Sequence, residues 1–191
     1  IYVDVSNVYL VMRKNLGIYL RAIEDGRIFN RRVAFGSKTI IEESDWERQF
    51  KMLGYQTRCE IRPTEEFESM VDDSIAAHIY RTTLRSLNSS NKVNIIVLSG
   101  DGNQRSTTSV SIYDSILNAL LNGVSVTVWA LKTTINRNYT NLVNRFPTLF
   151  HLRYLDDITE TIPVKESLNS SVNNYHHLKI MTKDRSHFTR N

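Results

Sequence analysis

Apolar and polar positions along this chain follow two periods in turn, and the switching between them predicts βαβ units around a mainly parallel sheet. Apolar runs of strand length recur at 1–5, 32–37, 55–61, 93–98, 124–131 and 150–155. The run 93–98 is the most apolar and reads as a central strand buried on both faces. The run 32–37 is expected to end at a Gly36-Ser37 turn.

Between these runs the pattern turns helical. A first helix is expected from Asn7. A second starts at Ser44, where Ser44 and Glu47 make a capping box and Trp46, Phe50 and Leu53 share a face before Gly54. A long helix over 66–87 would turn Met70, Ile75, Ile79 and Leu84 inward. Another runs through Ile112, Ile116, Leu117 and Leu120 to Asn122-Gly123, and a short one covers 139–146. Segment 17–30 has weak periodicity and reads as a variable loop or short hairpin.

With 191 residues and 41% hydrophobic positions, the chain can build one core of ordinary size. Its composition turns polar after Asp157, so a domain over 1–158 is expected, followed by an extension over 159–191 that is surface-packed or partly disordered. His176, His177 and His187 in that extension lack Cys or acidic partners at ligand spacing and read as plain polar residues.

Lys and Arg total 24 against 20 acidic residues, a net charge of +4 that leans mildly toward an anionic partner. The single Cys59 excludes an intramolecular disulfide and a Cys-based zinc site. Its place in the alternation Tyr55, Thr57, Cys59, Ile61 predicts a small buried core residue. No apolar run approaches the roughly 18 residues needed to cross a bilayer. A soluble, intracellular protein, cytoplasmic or nuclear, is therefore expected, and a chain opening at Ile1 is read as an excerpt of a longer one.

Three carboxylates fall where chemistry collects in an open parallel sheet, at the carboxyl ends of its strands. Asp4 ends the first strand, Asp101 follows the central strand, and Asp72 lies in the first turns of the helix leading to that strand. Such a helix begins at the carboxyl edge, so all three can reach one cleft. Clustered carboxylates repel one another unless a cation lies between them, and oxygen-only ligands suit Mg²⁺ or Mn²⁺. Plainer readings stand beside this one: Asp4 as a helix cap, Asp101-Gly102 as a turn, and Asp72-Asp73 as charge favourable to a helix N-terminus.

The order of four blocks resembles the NYN domains, a PIN-like ribonuclease superfamily. Ile1-Tyr2-Val3-Asp4-Val5-Ser6-Asn7 is similar to their opening strand, and Val33-Ala34-Phe35-Gly36-Ser37 to their second. Met70-Val71-Asp72-Asp73-Ser74-Ile75 resembles their acidic helix start, and Val97-Leu98-Ser99-Gly100-Asp101-Gly102 their Ser-Gly-Asp-Gly signature. The resemblance covers roughly residues 1–158 and implies a three-layer α/β/α PIN-like (Rossmann-like) fold. It also implies a metal-dependent endoribonuclease hydrolysing RNA phosphodiester bonds. Asp4, Asp72 and Asp101 would be the catalytic metal ligands, with Asn7 and Ser99 holding the ligands or the scissile phosphate.

The chain departs from the family at Asn103, where a further acid is common. Either the site is weaker, or Asp73 substitutes, or catalysis is lost. The alternative function is thus an inactive pseudonuclease, an RNA-binding or protein-interaction module in RNA silencing or decay. Arg105 is the cation best placed for RNA, with Arg13, Lys14, Lys38 and Lys132 as further candidates. The expected partner is single-stranded RNA, with a homodimer or protein partners as further expectations and no membrane. A haloacid dehalogenase-type phosphatase would need an acid at Ser6, and no Gly-x-Gly-x-x-Gly follows the first strand for a dinucleotide site.

Overall fold

Six strands pair in parallel in the order β3-β2-β1-β4-β5-β6. They are β1 (Tyr2–Asp4), β2 (Val33–Lys38), β3 (Gln56–Ile61), β4 (Asn94–Leu98), β5 (Ser125–Ala130) and β6 (Phe150–Tyr154). The computed structural model describes residues 1–38, 43–61, 69–90, 92–100 and 111–161. Residues 1–158 form one compact unit.

Seven helices are described: α1 (Val5–Met12), α2 (Leu16–Glu24), α3 (Asp45–Met52), α4 (Ser69–Leu87), α5 (Ile112–Leu121), α6 (Arg137–Arg145) and α7 (Leu155–Thr161). The alternation of each strand assigns them to layers. Tyr2, Val33, Phe35, Ile95, Val97, Val126, Val128 and Phe150 share one core with residues of α4, α5 and α6. On the other face α1 packs on β1 and β2, α2 on α1, and α3 on β3. The result is the expected three-layer α/β/α, Rossmann-like architecture, with a sheet parallel throughout. Among the described residues no helix is long and apolar enough to cross a membrane.

Several local expectations are corrected. Segment 17–30 is loop only from Asp25 on: before it Leu16, Tyr19, Leu20 and Ile23, spaced as one helical face, are all buried by α2. That helix stops where Asp25 and Gly26 adopt left-handed backbone, at φ 48° and 67°. Helix α1 starts at Val5, two residues early, because Asp4 already holds the extended N-cap conformation. Gly36 makes no turn. β2 runs on through Lys38, and a Cβ at Gly36 would lie 2.8 Å from the Trp46 ring, so the glycine is a seat for α3.

Helix α4 buries Val71, Ile75, Ile79 and Thr83, while Met70 and Leu84 are exposed. A stripe at successive steps of four outranks the looser apolar spacing that would have turned Met70 and Leu84 inward. Cys59 is only half-buried, since β3 is an edge strand. Leu155 opens α7 rather than ending β6. The Ser44–Glu47 capping box is present. A second box, Ser111 with Asp114, starts α5: the Asp114 amide donates to Ser111 Oγ at 3.0 Å.

Candidate metal centre

The sheet runs outward from β1 through β2 to β3, and α4 then carries the chain back across to β4. Strand order therefore reverses between β1 and β4, and their carboxyl ends flank the crevice where open α/β sheets place ligands. Asp4 is the last residue of β1, and Ser99 is the first after β4.

These two meet. Asp4 has 0% of its surface exposed, and its carboxylate accepts three side-chain hydrogen bonds. Ser6 Oγ donates to Oδ1 at 2.6 Å, while Asn7 Nδ2 and Ser99 Oγ donate to Oδ2 at 2.5 Å and 3.0 Å. Although Asp4 sits at the N-cap of α1, its side chain makes no capping bond. Burial pushes its carboxyl above the ordinary value, against the hydrogen bonds from Ser6, Ser99 and Asn7 that favour the ionised form. An uncompensated charge at such depth carries a penalty of several kcal/mol.

Asp72 is buried in the first turn of α4. Its side of the sheet follows from Tyr2, which faces α4: its hydroxyl lies 2.5 Å from Thr82 Oγ1 and its ring 6.0 Å from that of His78. Asp4 lies two residues beyond Tyr2 on the same strand face, roughly 7 Å toward the carboxyl edge. Asp72 lies six residues before His78, roughly 9 Å toward that edge along a helix antiparallel to the strand. The bond from Ser74 Oγ to Glu60 Oε1, at 3.2 Å, pins this end of α4 to the carboxyl end of β3.

Beside Asp72, Asp73 Oδ1 is shielded from solvent and has no hydrogen-bond partner among the described residues. The donor chemistry here is oxygen only: the buried carboxylates of Asp4 and Asp72 near the carboxyl edge, and an Asp73 oxygen left unmet among the described residues. That set fits a hard divalent cation. Among the described residues no three acidic, His or Cys side chains converge as a metal-binding group. The expected third acid, Asp101, lies outside the described residues, as do Asn103 and Arg105.

Ser99 is held rigidly. Its amide donates to the Trp129 carbonyl at 3.1 Å, and the Gly100 carbonyl accepts from the Asn136 amide at 3.2 Å. A Cβ at Gly100 would come within 3.0 Å of Thr134 Oγ1 and 3.2 Å of its carbonyl oxygen, so a side chain here would push on the turn before α6. Ser6 is a site residue that sequence reasoning passed over. The available signal was a hydroxyl two residues after an aspartate, close enough to bond back to it.

Arg105 lies outside the described residues, and the other basic candidates occupy three separate places. Arg13 and Lys14 follow the end of α1, an eight-residue helix roughly 12 Å long that leads away from Asp4. Lys38 Nζ donates to Glu47 Oε2 at 2.8 Å, and the same oxygen accepts from the Ser44 amide at 2.9 Å. Partial burial pushes Glu47 up, but the bonds from Lys38 and Ser44 outweigh it and hold the carboxyl below its ordinary value. Lys132 pairs with Asp157 at 2.5 Å and lies 5.8 Å over the Tyr154 ring.

No protein-family model matches the chain, and no curated protein or solved structure is significantly similar to it.

Proposed function

We propose that the crevice between β1 and β4 is the active site of a metal-dependent endoribonuclease that hydrolyses RNA phosphodiester bonds, with Asp4, Asp72 and Asp101 holding Mg²⁺ or Mn²⁺. The observation that carries this reading is the Asp4 carboxylate, sealed at the topological switch point and aimed by donors from Ser6, Asn7 and Ser99. The resemblance to NYN domains in the order of motifs supports it and supplies the reaction class.

Each residue has a physical task in this reading. Ser6, Asn7 and Ser99 favour the ionised form of Asp4 and fix its orientation. Asp72 adds a second charge from the opposite layer, and Asp73 offers an unmet oxygen beside it. When bound, the cation would lower the pKa of a water and neutralise the charge that builds on the phosphodiester.

The test is cleavage of a fluorogenic single-stranded RNA in Mn²⁺ by purified protein and by Asp4→Asn. The variant is expected to be slower by at least about a hundredfold, the scale for losing a charge-stabilising group. Equal rates would exclude the proposal.

A second reading is a non-catalytic RNA-binding module. It is favoured by the full burial of Asp4, which could serve only to join β1 to β4, and by Asn103 in place of a common acid. Cleavage that depends on Asp4 removes it.

A further inference from the structure

At the amino edge of the sheet a cleft of about 640 Å³ opens between the 25–32 connection, the end of α4 and the start of β4. Arg27, Arg31, Arg85 and Lys92 line it, and among the described residues no carboxylate does. Among the described residues none of the four forms an ion pair. Arg27 alone is tied down, donating to the Ile23 and Glu24 carbonyls at 2.6 Å and 3.1 Å and so closing α2. Like charges around one hollow repel each other and contribute nothing to the fold. Phe29 lies in the same cleft with guanidinium groups of Arg27 and Arg32 at 5.9 Å and 5.6 Å, and Ile28 beside it is 97% exposed.

A second cleft of about 470 Å³ shares Arg27 and Asn94 with the first and follows β5 and β6. Thr127, Trp129, His151 and Arg153 line it, with Asp25 at the end of α2 as the single carboxylate among the described residues. Thr127 pairs with His151 and Trp129 with Arg153 in register, so the four side chains stand together on one face. Trp129 Nε1 is buried there without an acceptor among the described residues. The Trp129 carbonyl accepts from the amide of Ser99, whose hydroxyl holds Asp4. By strand alternation the Trp129 side chain nevertheless stands on the sheet face opposite Tyr2 and Asp4, so the second cleft runs along that other face.

Cations without a carboxylate in the first cleft, a buried N–H without an acceptor among the described residues in the second, and half-buried aromatic rings beside the exposed Ile28 call for one chemistry. The ligand is a polyanion carrying flat rings with acceptor edges, which is an unpaired nucleic-acid strand. In a duplex those ring faces are already stacked away.

We propose that the two clefts, joined at Arg27 and Asn94, form one track for a single RNA strand, with phosphates on Arg31, Arg85, Lys92 and Arg153 and a base against Trp129. The choice of RNA rests on the nuclease reading; the track itself does not.

The test uses the full chain carrying Asp4→Asn, in EDTA, and a fluorescein-labelled oligouridylate of about 20 nucleotides, longer than a single-strand groove usually covers. Arg31, Arg85, Lys92 and Arg153 are changed to Ala, and Arg27 is kept because it closes α2. Affinity by fluorescence anisotropy is expected to fall at least about tenfold at 0.1 M salt. The slope of log affinity against log salt should become shallower by about 3, at about 0.7 per single-strand phosphate contact. The single variants Arg31→Ala and Arg153→Ala should each shift that slope by about 0.7, which keeps the test decisive if the quadruple variant misfolds. In Trp46→Phe protein Trp129 is the only indole, and its emission should be quenched by the oligonucleotide.

Unchanged slopes, or no oligonucleotide binding at all, would overturn the track. A chain that binds through these residues yet cuts nothing keeps the track and loses the nuclease. A chain that cuts while the variants bind like the parent keeps the nuclease and loses the track.

Discussion

The carboxyl and amino edges of the sheet carry opposite charge and handle it in opposite ways. At the carboxyl edge the Asp4 carboxylate is fully buried and each of its oxygens is met by a donor. At the amino edge Arg31, Arg85 and Lys92 line an open cleft with no carboxylate among them. A buried charge needs such partners, because desolvation otherwise forces it neutral. An exposed cation needs none, so its placement is free to serve a ligand. The contrast separates what the fold must satisfy from what it leaves for others. Neither arrangement is one that stability alone selects: the first buries a charge and the second gathers repelling ones.

The largest expected effect comes from emptying the carboxyl edge. Asp4→Ala would leave Asn7 Nδ2 and Ser99 Oγ without an acceptor and is expected to destabilise by about 2–5 kcal/mol. For a chain of this length that lowers Tm by roughly 5–15 °C, read by circular dichroism in EDTA. Asp4→Asn should stay within about 1 kcal/mol of the parent. Its amide oxygen can accept where Oδ2 does now, and the Ser6 hydroxyl can turn to accept from the amide nitrogen. If Asn proved as damaging as Ala, the hydrogen bonds would not be what orders this edge.

A smaller effect tests the cationic side. His78 on α4 packs against Tyr2 and Phe35 and has its Nδ1 buried without a partner. Burial, with Arg31, Arg81 and Arg58 nearby, lowers its pKa to about 4. A depressed folded value means that its stabilising contribution is present above the unfolded value and lost as pH falls toward 4. Tm should therefore drop between about pH 6.5 and 4, and His78→Phe, which keeps a ring but not the titration, should drop less. Equal slopes for the two proteins would mean that the surrounding arginines do not hold the imidazole neutral.

Much of the layered fold was legible because its signals are local. The Ser44–Glu47 box, the apolar run of β4 and the glycine stops each act within a few residues. Even so, α2 went unread: its apolar face is clear at Leu16, Tyr19, Leu20 and Ile23, but the helix lacks a side-chain cap and carries Gly17. At the acidic site Asp4, Asn7 and Ser99 could be named from motif order. Ser6 could not, because its role depends on a bond back to Asp4 across the strand-to-helix corner. Of the cation candidates, Lys38 pairs with Glu47 and Lys132 with Asp157, partners that the tertiary fold brings to them, while Arg105 lies outside the described residues. The cations of the amino-edge cleft come from three separate segments, and no spacing along the chain announces them.

The sharing of one cation by carboxylates from β1 and α4 is tested most directly by titrating Mn²⁺ into the protein and following the free ion by electron paramagnetic resonance. The parent should take up Mn²⁺ at a site that is lost in Asp4→Asn and at least about tenfold weaker in Asp72→Asn, a loss of roughly 1.4 kcal/mol or more. Identical uptake by all three proteins would contradict it.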